Sequence, residues 1–246
     1  MGSVVAIVSG KGGTGKTSVC AGVSIALAQA GLRVLCIDCD ALLRNLDIPL
    51  GLTDSGALSF LDVSEGGYPL SAAESHPLYP GLHFLTAPMN RSPEQMDGDA
   101  FREMLRTARE QFDYVFLDAP AGVDGMFPLI VSAADRFVVV TGSGPAAVRD
   151  AARVGEILEL ERKTDVRLVV NRVSKTMLSI LKMTIDDVMD TTGLPLLGIV
   201  PEDPDVSLAA ALGEPLAKFS PRSYACRSLQ RIAKRIQGFP EPITFR

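Results

Sequence analysis

Apolar residues fall along this chain in short unbroken runs. "VVAIV" fills 4–8, "VLCI" 34–37, "YVFL" 114–117, "FVVV" 137–140, "LVV" 168–170 and "LLGIV" 196–200, with a weaker run "LHFLT" at 82–86. A run of strand length with no polar alternation has no face to offer water, so it fits a strand covered on both sides in a parallel sheet. Between these runs the period changes to that of a helix. Residues 17–30 set Val19, Val23, Leu27 and Ala30 on one side, with Gly31 behind them as a C-cap. Residues 93–111 are introduced by Ser-Pro-Glu, a helix-start signal. Residues 145–161, 178–192 and 222–237 also read as helices.

Strands alternating with helices predict a doubly wound α/β fold. It has a mostly parallel sheet with helices on both faces, and ligands bind at the carboxyl ends of the strands. The pattern reads as one domain over 1–246. Residues 63–81, "VSEGGYPLSAAESHPLYPG", are rich in Gly, Pro and Ser and read as a surface excursion. Residues 239–246 read as a short tail whose prolines bar a helix, and no internal repeat is visible.

Composition narrows the choice of chemistry. With 246 residues and 47% apolar content, the chain can bury a sizeable core. Its net charge of −5 argues against a surface that coats nucleic acid, so DNA is not an expected partner. There is no basic leader and no apolar run of spanning length, and a cytoplasmic location is expected. Of the four cysteines, Cys36 and Cys39 form a C-x-x-C. Cys36 lies inside an apolar strand run, where cysteine acts as a small apolar residue, so structural filling outweighs redox or metal chemistry.

The strongest motif is "SGKGGTGKTS", residues 9–18. Gly10, Gly15, Lys16 and Thr17 satisfy G-x-x-x-x-G-K-[ST], directly after one strand run and at the start of a helix. Backbone N–H groups from Gly10 through Ser18, with Gly12, Gly13 and Thr14 between, cradle phosphates there, and the helix N-terminus adds positive potential. Lys16 is expected to reach the β and γ phosphates and Thr17 to hold Mg²⁺. "YVFLDAPAG", 114–122, closes an apolar strand on Asp118, a carboxylate placed for Mg²⁺. Asp38 and Asp40 end the second strand at period-two spacing and face the same edge. "VVNRV" sets Asn171 and Arg172 at another strand end, and "IVPEDPDV" does the same with Pro201, Glu202 and Asp203. Asn carries both donor and acceptor for a base edge, and no N-K-x-D guanine motif is present, so ATP is the expected nucleotide.

Lys11 is a second lysine in the same loop. "KGGTGKTS" resembles the deviant phosphate loop, KGGxGK[ST], of the MinD/ParA family of ATPases, and "IDCDALLRNLD" is similar to the first switch of its MinD branch. The resemblance runs nearly the full length and includes 141–154 and 200–215. It implies that Lys11 acts across an ATP-dependent homodimer on the partner's phosphates, in the manner of an arginine finger supplied in trans. It implies that Asp40 orients the attacking water, that Asp38 supports the Mg²⁺ shell, and that Asn45 belongs to the first switch. Gly122, in a D-x-P-[AP]-G-like second switch, is expected to donate its N–H to the γ-phosphate. Asn171, Arg172, Pro201 and Asp203 are implied to hold adenine. The function implied is a slow, partner-stimulated ATPase switch that places the division septum, with a MinC- or MinE-like regulatory protein as partner.

Alternatives of the same site are a ParA-type partitioning or flagellar/pilus-positioning ATPase, and a soluble ATP-binding regulatory module with little turnover. The resemblance also has a departure. The family's MinD proteins end in a short membrane-binding helix, whereas here 222–237 is followed only by "GFPEPITFR". Helix 222–237 has Leu229, Ile232, Ala233 and Ile236 on one face, with Arg227, Arg231, Lys234 and Arg235 around the rest. Core packing is its leading reading, and peripheral contact with the inner face of the plasma membrane stays open.

Overall fold

The computed structural model describes residues 1–53, 55–89 and 96–244. Its strands are β1 (Ser3–Val8), β2 (Val34–Asp38), β3 (Glu74–Ser75), β4 (Leu82–Leu85), β5 (Tyr114–Asp118), β6 (Arg136–Thr141), β7 (Val166–Val173) and β8 (Leu196–Pro201). They form one sheet in the order β3-β4-β2-β5-β1-β6-β7-β8. Every neighbouring pair is parallel except β3 with β4. The helices are α1 (Lys16–Gln29), α2 (Asp47–Leu50), α3 (Phe60–Ser64), α4 (Gly98–Gln111), α5 (Phe127–Ala133), α6 (Pro145–Leu160), α7 (Lys175–Leu181), α8 (Ile185–Thr192), α9 (Pro204–Ala211), α10 (Leu216–Phe219) and α11 (Tyr224–Ile236).

The unbroken apolar runs have the cause expected of them. In β1, Val4, Ala6 and Val8 join the core under α4, α5, α6 and α8, while Val5 and Ile7 join the core under α1 and α11. Both faces of the strand are buried, so period-two alternation is absent. The chain leaves β1 toward β2 on one side and later adds β6, β7 and β8 on the other. The carboxyl end of β1 is therefore the point where the winding reverses, and a crevice opens there.

Three expectations change. The single helix over 178–192 is two helices. Lys182 sits at φ 51 and ends α7, and Thr184 with Asp187 forms the capping box that starts α8. The helix expected over 93–111 begins at Gly98, where the Asp97 side chain accepts from the amides of Asp99 and Ala100. Its Ser-Pro-Glu start lies in 90–95, outside the described residues. The stretch 63–81 is more than an excursion. Its two-residue β3 pairs antiparallel with β4, and His76 is buried, its ring Nε2 2.7 Å from the Leu50 carbonyl at the end of α2.

Helix α11 packs Ala225, Cys226, Leu229, Ile232, Ala233 and Ile236 into the core beside α1, which settles its apolar face as core. Among the described residues no helix is long and apolar enough to cross a membrane. All four cysteines are free and buried, and burial holds the Cys39 thiol well above its ordinary value, as expected of filler rather than a reactive pair.

Candidate active site

The loop between β1 and α1 is shaped by close approach. A Cβ on Gly10 would lie 2.4 Å from the Asp150 carbonyl oxygen, so the loop presses against α6. Gly15 is the N-cap of α1 at φ 82, and a Cβ there would meet Asn171 Nδ2 at 2.2 Å. Asn171 donates from that amide to the Thr14 carbonyl at 2.8 Å, and Arg172 Nη1 donates to the Gly13 carbonyl at 3.1 Å. The end of β7 thus fastens the loop from outside.

The carboxylates come from two adjacent strands. In the pairing of β2 with β5, Asp38 stands opposite Asp118. Each is 1% exposed. Two buried like charges side by side are costly unless a cation or a proton relieves them. Lys16, also buried, supplies one cation, with Nζ 3.3 Å from Asp118 Oδ1. The Thr17 hydroxyl also bonds Asp118, which is raised above its ordinary value by burial despite Lys16. Asp38 accepts from the amides of Asp40 at 2.9 Å and Leu46 at 3.1 Å. Burial, followed by the Asp118 charge, still pushes Asp38 up to about 7. Asp40 is less enclosed, and its Oδ1 accepts from the amides of Leu42 and Leu43.

A cavity of about 180 Å³ gathers Lys11, Gly12, Gly13, Thr14, Gly15, Lys16, Thr17, Asp38, Asp40, Asn45 and Asp118. A second, of about 420 Å³, is lined by Ser18, Val19, Gly22, Asn171, Arg172, Pro201, Asp203 and apolar residues of α9 and α11. Arg172 lines both. Charged groups therefore collect at one end of the crevice and an apolar wall at the other, an arrangement that suits a nucleotide. The Thr14 hydroxyl is buried without a hydrogen-bond partner in the loop, a donor that an entering phosphate oxygen would satisfy. Among the described residues no three His, Cys, Asp or Glu are grouped to hold an ion alone. Two carboxylates and a threonine hydroxyl are hard oxygen donors, and they fit Mg²⁺ completed by phosphates and water.

The chain's residues 5–216 match the CobQ/CobB/MinD/ParA nucleotide binding domain. The chain belongs to this family. It is 34% identical over 240 residues to the septum site-determining protein MinD of Synechocystis sp., covering 97% of this chain and 90% of that one. Its fold superposes on the Aquifex aeolicus MinC:MinD cell division complex with a TM-score of 0.90 and 31% identity, covering 99% of this chain and 98% of that chain. It superposes on the Pyrococcus horikoshii MinD, solved with Mg-ADP, with a TM-score of 0.83 and 26% identity, each chain covered to 96%.

Two residues expected to meet the nucleotide already have partners within the chain. The Gly122 N–H donates to the Ser9 carbonyl at 3.0 Å, so it is not available to a γ-phosphate in this arrangement. Both Asp203 carboxylate oxygens are taken by amides. One caps α9 through Asp205 at 3.1 Å, and the other holds Ala225 at the start of α11 at 3.1 Å. Asp203 thus joins the starts of α9 and α11 on the wall of the larger cavity. Reading the motifs alone misses Ser9, Asp150 and Arg44. Arg44 sits at φ 46 with Nε on the Thr86 hydroxyl at 3.1 Å, tying the first switch to the end of β4. Nothing in the spacing announces these three, because each acts through a contact made only in the folded chain.

Proposed function

We propose that this chain is an ATP-driven switch of the MinD type. It binds ATP with Mg²⁺, forms a homodimer over the bound nucleotide, hydrolyses slowly until a MinC- or MinE-like regulatory protein engages it, and so helps place the division septum. The observation that carries this reading is the contrast between the loop's two lysines. Lys16 is buried against Asp118, whereas the Lys11 side chain is 43% exposed and its Nζ lies 4.0 Å from Asp150 Oδ2 of α6. An exposed ion pair at that distance is worth at most about 1 kcal/mol, so little holds Lys11 to its own subunit.

The other roles follow from position. Lys16, at the base of the cradle, turns to the β and γ phosphates. Thr17, Asp118 and Asp38 hold Mg²⁺, which supplies charge neutralisation to the phosphates. Asp40, on the open side, orients water. Asn171 and Arg172 face the base across the apolar wall of α9.

Molar mass by light scattering tests the switch. On an Asp40→Ala background, which blocks hydrolysis, ATP doubles the mass and ADP does not, and adding Lys11→Ala removes the doubling while ATP still binds. A chain that binds ATP and stays monomeric would overturn the switch reading in favour of a nucleotide-binding module.

A further inference from the structure

Outside the nucleotide crevice, α11 carries a second concave site. Tyr224, Arg227, Ser228 and Arg231 follow one another at helical spacing along its outer face, and with Pro201 and Thr244 they line a cavity of about 300 Å³. The tail after α11 forms one wall. It is strapped back along the helix by Lys234 on the Glu241 carboxylate at 2.7 Å, by Arg235 on the Glu241 carbonyl at 2.9 Å, and by Arg231 on the Thr244 hydroxyl.

Three features of this cavity point to an anion. Among the described residues neither Arg227 nor Arg231 forms an ion pair, and the neighbouring carboxylate, Glu241, is committed to Lys234. The Arg227 guanidinium lies over the Tyr224 ring, 5.3 Å from its centre, which fixes one flat face and leaves its N–H edge free. Between them along the helix, Ser228 is 6% exposed and lines the cavity. Two guanidinium groups with no carboxylate partner among the described residues, one of them also donating to the Thr244 hydroxyl, stand beside a serine hydroxyl and suit an acceptor with several oxygens.

We infer that this cavity binds a phosphate group, held by Arg227 and Arg231 and received at its floor by the Ser228 hydroxyl. The site is separate from the phosphate loop. It shares only Pro201 with the base pocket, so its occupant sits directly behind the strand end that borders the nucleotide. The inference does not depend on the proposed function.

The test is calorimetric titration of the full chain with inorganic phosphate, the nucleotide site first filled with Mg²⁺ and a non-hydrolysable ATP analogue. Arg227→Gln, at an exposed position whose loss leaves the fold intact, is expected to weaken phosphate binding about tenfold, the loss of one charge-assisted hydrogen bond. Ser228→Ala weakens it less, and the Arg227→Gln/Arg231→Gln pair abolishes it. Equal binding by wild type and Arg227→Gln, or no binding by wild type, overturns the site. Sedimentation with phosphatidylglycerol/phosphatidylcholine vesicles separates the sources. Arginine-dependent pelleting makes the phosphate a lipid headgroup, and phosphate binding without pelleting makes it a soluble phosphate compound. Retention on duplex DNA by a chain that does not bind inorganic phosphate would replace the pocket with a diffuse polyanion surface.

Discussion

The two ends of the nucleotide crevice are built on opposite terms. At the phosphate end the side chains carry charge and answer one another: Lys16 rests on Asp118, and Asp118 stands beside Asp38. At the base end the polar groups are already engaged by the chain itself. Asn171 holds Thr14, Arg172 holds Gly13, and Asp203 holds two helix starts. A phosphate is recognised by charge and by N–H groups, which few residue arrangements can supply. A base is recognised by shape and by whichever polar atoms remain. The first demand leaves a fixed spacing in the sequence and the second does not.

The largest expected effect lies at the phosphate end. Asp40→Ala should keep ATP binding and lose phosphate release by roughly 10²–10⁴-fold, the range set by removing a group that positions a proton transfer. A phosphate-release assay beside an ATP-binding titration checks it. If binding vanishes together with turnover, Asp40 belongs to the cradle and not to the water.

Lys16→Ala comes next. ATP at 100 times Kd stabilises a protein by about 2.7 kcal/mol, visible as a rise in melting temperature. The variant should show no rise with ATP. Its ligand-free melt should also fall, because Asp38 and Asp118 are left buried with no cation between them. A variant that still gains stability from ATP would move the phosphate contact elsewhere.

At the base end, Asn171→Ala separates two roles. Losing the amide leaves the buried Thr14 carbonyl unpaired, at a cost of about 1–3 kcal/mol. If Asn171 also reads the base, the preference for ATP over GTP shrinks in competition binding. If it only tethers the loop, both nucleotides weaken equally and the preference stays.

The same contrast explains what could be read before the fold was seen. The central strands announced themselves because burial on both faces erases alternation, as Val4 to Val8 show. The phosphate loop, Asp38 and Asp118 were legible because strand ends and motif spacing put them on one edge. Ser9, Arg44 and Asp150 were not, since each matters through a partner far away in sequence. The break between α7 and α8 was hidden by a continuous apolar period. Its only local signal was Thr184 followed by Asp187. Helix α9 carries its own signal, Asp203 before Pro204, inside the stretch that the resemblance assigns to the base.

The smallest effect is in pH, and within the crevice it belongs to the phosphate end. Asp38 titrates at about 7 in the folded chain against an ordinary 3.8. The folded chain therefore holds a proton that the unfolded chain has released. The associated stability is complete below the ordinary value, falls as pH rises through about 7, and is gone above it. Between pH 6.5 and 8 the ligand-free protein should lose about 1 kcal/mol from this group, read as a falling denaturation midpoint. His76 and His83 act in the opposite sense, because burial lowers their folded values and acid then costs stability, so the Asp38 contribution is read as the difference between wild type and Asp38→Asn over the same pH range. Asp38→Asn should flatten the slope. Mg²⁺ with ATP should flatten it as well, because a cation at the carboxylate pair takes over the relief that the proton gave. A slope that survives both would place the titrating group outside the crevice, and the contrast between its two ends would lose its electrostatic basis.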